Sequence, residues 1–207
     1  MKKDMLQPIN RDFGNTPDYI PNLAPYIQEE LNKMSFDERK VTDYAVAYMW
    51  GTAGVLYNKG LVTEEEALTC GSLWDPKFNN KILMKDSYRD CYGLSIIYAN
   101  TERLQKGEVT VEQLMNDNSK DAIVMAEEYL KMMKPNIAGW EADFGKEMMT
   151  KGKAWLNFTW SGDAVWAIEE AAAVDVELDY VVPIEGSNVW FDGWVIPKYA
   201  RNVKAAS

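Results

Sequence analysis

The sequence predicts an α/β fold, and three observations carry that prediction. Short runs rich in β-branched and aromatic residues alternate along the chain with stretches of helical periodicity. The 207 residues are 47% hydrophobic and 26% charged, an ordinary globular balance that can bury a core. No internal repeat or low-complexity tract interrupts the pattern.

Residues 1–40 are loop-rich, because Pro8, Gly14, Pro17, Pro21 and Pro25 break any long element. One short helix is predicted within Leu23–Met34. With no strand before Met5, the chain is expected to begin inside a larger fold. Tyr44–Asn58 reads as two short strands bent at Gly51 and Gly54. A weak helix follows over Glu64–Cys70, then a helical turn and loop over Ser72–Phe78, with Trp74 as a packing anchor. Lys81–Met84 is a buried-strand candidate leading through the polar turn Lys85–Asp90 into a helix over Tyr92–Tyr98. Binding groups gather at such strand–turn–helix junctions. Asp86 and Ser87 there either face a ligand or cap the helix.

Thr110–Asn116 and Lys120–Met133 are helical. In the second, Ile123, Ala126, Tyr129, Leu130 and Met133 form one apolar stripe, read as core, and Pro135 ends it. Glu141–Lys151 reads as a helix closed by Gly152, Ala154–Thr159 as a strand, and Ser161–Ala173 as a helix with Asp163 in its first turn. Asp175, Glu177 and Asp179 alternate with apolar residues, as on a solvated edge entering the strand Tyr180–Pro183 rather than in a metal site. A turn at Glu185–Asn188, a strand over Val189–Ile196 and a helix starting at Lys198 complete the chain. Boundaries near Trp50–Thr52 and Glu185–Val189 divide it into residues 1–50, 51–186 and 187–207, the middle forming one lobe and the two ends belonging to another.

Composition excludes several functions. A net charge of −10 argues against nucleic acid, which needs a basic patch. The absence of histidine removes Ser-His-Asp and Cys-His nucleophiles and every His-ligated metal site. Cys70 and Cys91, the only cysteines, either pair or remain thiols. Met1-Lys2-Lys3 leads into Asp4, Gln7 and Pro8 rather than an apolar leader, and the uncharged run Tyr44–Tyr57 has 14 residues against the ~20 a membrane span needs. The chain as given is therefore expected to be soluble.

Two motifs carry chemistry: Trp160-Ser161-Gly162-Asp163 and Trp190-Phe191-Asp192-Gly193. Each sets a carboxylate two or three residues after an indole. The indole attracts an organic cation by about 0.5–2 kcal/mol, and the carboxylate adds a charge-assisted hydrogen bond. Trp190 and Asp192 share one side of their strand. A diamine, with two ammonium groups and an apolar spacer, suits this arrangement. The same residues admit two other readings. Tryptophans stack on sugars, and Asp163 with Asp192 would be the acid pair of a glycoside hydrolase. A different small solute, sugar-like or thiamine-like, would suit the same walls. A ferric complex is disfavoured, with no histidine and no clustered tyrosine pair at the helix starts.

Five stretches in order resemble the spermidine/putrescine-binding proteins of ABC importers: Tyr48–Val55, Leu73–Phe78, Ile82–Asp90, Trp160–Asp163 and Pro183–Asp192. The resemblance covers about residues 5–205. It implies the type II periplasmic-binding-protein fold, with one nearly complete lobe, a remnant of the other, and a polyamine held in an inter-lobe cleft. By the same resemblance Trp160 and Trp190 look like aromatic walls and Asp192 like the ammonium-holding carboxylate. Asp163 matches a ligand carboxylate of some members, and Asp90, with Ser87 or Asp86 beside it, aligns with an acidic position after the strand. Implied partners are the permease subunits of the importer. The implied location is extracellular or periplasmic, membrane-associated through a lipid anchor or partner outside this sequence. No enzymatic activity, cofactor or metal is implied. The family's first lobe-one strand, a Ser- and Tyr-bearing loop and its closing helices have no counterpart here.

Overall fold

The computed structural model describes residues 4–9, 20–141 and 145–206. Among these the strands are β1 (Leu6–Gln7), β2 (Ser35–Phe36), β3 (Arg39–Lys40), β4 (Ala45–Asn58), β5 (Ile82–Lys85), β6 (Ile137–Glu141), β7 (Leu156–Trp160), β8 (Leu178–Val181) and β9 (Val189–Pro197). The helices are α1 (Pro25–Lys33), α2 (Glu64–Ala67), α3 (Tyr88–Ala99), α4 (Thr101–Gln105), α5 (Val111–Asn116), α6 (Lys120–Met133), α7 (Gly145–Thr150), α8 (Ser161–Ala172) and α9 (Val203–Ala206). Two compact units result: Met1–Trp50 with Phe191–Ser207, and Gly51–Trp190.

In the smaller unit β1 pairs antiparallel with β9, placing Gln7 opposite Ile196. Ile27 and Leu31 of α1 are buried one helical turn apart. Tyr48 meets Trp194 edge to face at 5.1 Å.

The larger unit is built on a mixed sheet. The second half of β4 pairs antiparallel with β7 and β8, while β5 runs parallel to both β6 and β7. Successive side chains of a strand face opposite ways, and the two faces carry separate cores. Val55, Tyr57, Ile82, Met84 and Phe158 pack with Leu94 and Ile97 of α3. Leu56 and Leu83 pack with Ala164, Ala167 and Ala171 of α8. The alanines let α8 lie close to the sheet. Both faces being covered explains why β5 is buried at every position and why Ile82-Leu83-Met84 reads as an apolar run without alternation.

Several expectations needed correction. The two strands expected over Tyr44–Asn58 are one 14-residue strand, Ala45–Asn58. Its glycines answer close approach rather than bending: a Cβ on Gly51 would lie 2.5 Å from Ser161 Oγ, and one on Gly54 would lie 2.5 Å from the Val181 carbonyl oxygen. Of the helix expected over Glu141–Lys151, the described residues include Gly145–Thr150, and Glu141 instead ends the unforeseen strand β6. Residues 142–144 of that expectation lie outside the described residues. Ile123 is 52% exposed, whereas Ala122, Ala126 and Met133 are the buried residues of α6. At the C-terminal end, helix is restricted to Val203–Ala206. Trp74 does serve as an anchor, stacked on Tyr98 at 4.1 Å with its Nε1–H donating to the Tyr129 carbonyl. Cys70 and Cys91 are both buried free thiols.

Candidate functional site in the larger unit

The parallel strands β5 and β7 end side by side, and each hands over at once to a helix. Lys85 ends β5, Ser87 caps α3, Trp160 ends β7, and α8 begins at Ser161. Two helix N-termini therefore lie at the carboxyl ends of the parallel strands, the usual place for ligands in open α/β sheets. Their positive dipole ends favour carboxylates. Asp90 and Asp163 occupy the same position, in the first turns of α3 and α8.

Asp90 is only 4% exposed, and neutral donors hold both its oxygens. Trp160 Nε1–H donates to Oδ2 at 2.9 Å and Asn188 Nδ2 donates to Oδ1 at 2.8 Å. Asp90 thus fixes the indole of Trp160 and the loop that leads into Trp190. That loop is tied further: Ser187 Oγ donates to the Ala53 carbonyl at 2.6 Å, and the Glu185 carboxylate accepts from Thr69 Oγ1 and the Cys70 amide. The consequence is an indole pair, Trp160 and Trp190, with centroids 6.3 Å apart and planes inclined at 58°. Both rings are half-buried, and Trp190 Nε1 is a buried donor without a partner among the described residues.

Asp163 is placed differently. Its Oδ2 accepts from Lys85 Nζ at 2.5 Å, while its side chain remains 46% exposed. Lys85 is 1% exposed. Its ammonium lies 4.1 Å from the Trp160 ring centroid and 3.8 Å from Glu141 Oε1. Glu141 in turn accepts from Asn157 Nδ2 and from the Gly145 amide. A small cavity of about 40 Å³ adjoins this polar interior, lined among others by Glu141, Asn157, Thr159 and Asp163.

Of the residues proposed from sequence, Trp160, Trp190, Asp90 and Asp163 are brought together. Ser87 is the cap of α3, its Oγ accepting from the Asp90 amide at 3.4 Å, and Asp86 is exposed beside it. Asp192 belongs to the smaller unit, where its side chain is exposed. Sequence reading passed over Lys85, Glu141 and Asn188. Lys85 shares a strand face with the apolar Leu83 two residues earlier, which was a usable signal. Nothing local marked Glu141 or Asn188. Among the described residues no group of three or more His, Cys, Asp or Glu side chains is placed to hold a metal ion, and no helix is long and apolar enough to cross a membrane.

Comparison with known proteins agrees with this architecture. The chain is 27% identical over 205 residues to the spermidine/putrescine-binding periplasmic protein of Salmonella typhimurium, covering 99% of this chain and 52% of that protein. It is 26% identical over 185 residues to the putrescine-binding periplasmic protein SpuD of Pseudomonas aeruginosa, covering 86% of this chain and 50% of that one. Among solved structures, the substrate-binding protein PotD of Streptococcus pneumoniae superposes with a TM-score of 0.71 at 30% identity, over 99% of this chain and 55% of that one. A putative spermidine/putrescine ABC transporter protein of Listeria monocytogenes gives 0.74 at 31%, over 99% and 56%. The chain thus spans about half the length of the relatives it matches. The fold is that of the type II periplasmic binding proteins. The family model for bacterial extracellular solute-binding proteins matches residues 1–207, and the chain belongs to that family.

Proposed function

We propose that this chain forms part of the extracytoplasmic solute-binding component of an ABC importer, and that the solute is a polyamine, putrescine or spermidine. The observation that carries the reading is the indole pair Trp160–Trp190, held in place by a buried carboxylate at the carboxyl ends of parallel strands. Tilted rings with their faces half open suit an aliphatic chain ending in ammonium groups. The names of the relatives point to the same solutes. Asp192, exposed on the smaller unit, is assigned the role of ammonium-holding carboxylate, with the Ser87–Asp90 turn contributing to the larger unit's wall and Asp163 engaged by Lys85 beside it. Permease subunits are the protein partners, and the location is periplasmic or extracellular, with attachment to the membrane through an anchor or the permease. The reading is of binding rather than catalysis, in keeping with relatives named as binding proteins.

The test is calorimetric titration of the full-length protein with putrescine and spermidine. Asp192→Ala and Trp160→Ala should each weaken binding by about 1–3 kcal/mol, the range for a lost charge-assisted bond or buried aromatic contact. Unchanged affinity in both variants would sink the assignment. Binding of sugars or thiamine in place of polyamines would transfer the site to another solute class.

A further inference from the structure

Lys85 is the one cation buried in the described part of the larger unit's site, and the elements there surround it with features a bound ammonium would seek. Its Nζ lies 4.1 Å from the Trp160 ring centroid, 2.5 Å from Asp163 Oδ2 and 3.8 Å from Glu141 Oε1. An aromatic face and a carboxylate at these distances make an ammonium seat. Here the chain's own side chain fills it from the end of β5, with Lys85 1% exposed. Asp163 meanwhile stays 46% exposed, so its carboxylate lies between the buried lysine and the outside.

We propose that Lys85 is a specificity-determining residue: it occupies the Trp160–Asp163 ammonium seat and so withholds Asp163 from the ligand. A polyamine then finds one ammonium partner fewer on this wall than the sequence motif Trp160-Ser161-Gly162-Asp163 advertises. The ligand chemistry favoured is accordingly a short diamine over a longer polyamine whose additional ammonium needs that seat. This inference rests on the polyamine reading.

A double-mutant cycle tests it in the full-length protein, with spermidine and putrescine titrated into the wild type, Asp163→Asn, Lys85→Met and the double variant. Methionine keeps the length and apolar contact of the lysine stem over Trp160 without its charge. With Lys85 present, Asp163→Asn should change the spermidine Kd less than threefold. In the Lys85→Met background the same substitution should weaken spermidine binding at least tenfold, and Lys85→Met alone should tighten spermidine more than putrescine. If Lys85→Met fails to fold because Glu141 is left without its ammonium, the cycle is run on Lys85→Met/Glu141→Gln, which removes both charges and keeps a carbonyl acceptor for Asn157 and Gly145. A tenfold or larger loss from Asp163→Asn in the wild type overturns the inference and leaves the polyamine reading standing, as does a loss under threefold in both backgrounds. Absence of polyamine binding by all the proteins overturns both.

Discussion

Asp90 shows how one buried carboxylate can order the groups around it. Its buried carboxylate receives the Trp160 indole N–H and the Asn188 amide, so one side chain orients two segments that lie 70 and 98 residues away in sequence. Trp160→Phe keeps an aromatic ring and deletes the donor. The carboxylate oxygen left behind is buried, and stability should fall by about 1–3 kcal/mol, measured by urea unfolding. A second residue-scale consequence concerns pH. Burial pushes the Tyr180 phenol up to about 12, partly offset by its hydrogen bonding with Thr52. The unfolded chain releases that proton near pH 10. Between these values the folded state holds a proton the unfolded state has lost, so ionisation favours unfolding. The contribution is intact below pH 10 and declines as pH rises towards 12, by about 1–2 kcal/mol. Tyr180→Phe should therefore flatten the alkaline limb of the stability profile, followed by thermal melts from pH 8 to 11.5.

At the scale of elements, the site depends on how closely β4 is approached. The Tyr180 hydroxyl donates to the Thr52 carbonyl, the Ser161 hydroxyl accepts from the Thr52 amide, and the Trp190 ring lies against Gly51. Glycine at 51 and 54 makes room for these neighbours. Gly54→Ala would bring a methyl to 2.5 Å from both the Tyr180 hydroxyl and the backbone oxygen of Val181. The hydroxyl can turn aside, but the carbonyl is held in the β4–β8 ladder. The substitution should cost about 1–3 kcal/mol by overpacking, visible as a lower urea midpoint with an unchanged slope. Periodicity located most of these elements. Lys120–Met133 was read to the residue, and Ala154–Thr159 and Ser161–Ala173 to within two residues at either end. Strand β6 escaped because Ile137-Ala138-Gly139-Trp140-Glu141 has neither alternation nor a run of β-branched residues. It is a strand because β5 lies beside it and supplies the parallel pairing.

For the whole molecule, binding should appear as added stability, since a ligand selective for the folded state raises unfolding free energy by mass action. A polyamine at about 100 times its Kd should add about 2.7 kcal/mol to the full-length protein. Thermal shift against putrescine, spermidine, sugars and thiamine reads this directly, and a shift with sugars alone would reassign the solute. A net charge of −10 favours the approach of a polycation, so the association rate should fall as salt is raised.

Sequence alone determined the α/β class, the order of most elements, the exclusion of histidine chemistry and the two indole–carboxylate motifs. These follow from composition and short-range periodicity, which a chain carries in its local order. Only the tertiary structure decided what the carboxylates of the larger unit do. Asp90 and Asp163 look alike in sequence, each an acid in the first turn of a helix. Folding gives Asp90 two neutral donors and buries it, and gives Asp163 the ammonium of Lys85 while leaving it half exposed. The Lys85–Asp163 pair spans 78 residues. No local pattern encodes it, because the parallel pairing of β5 with β7 is what brings the ends of those two strands together.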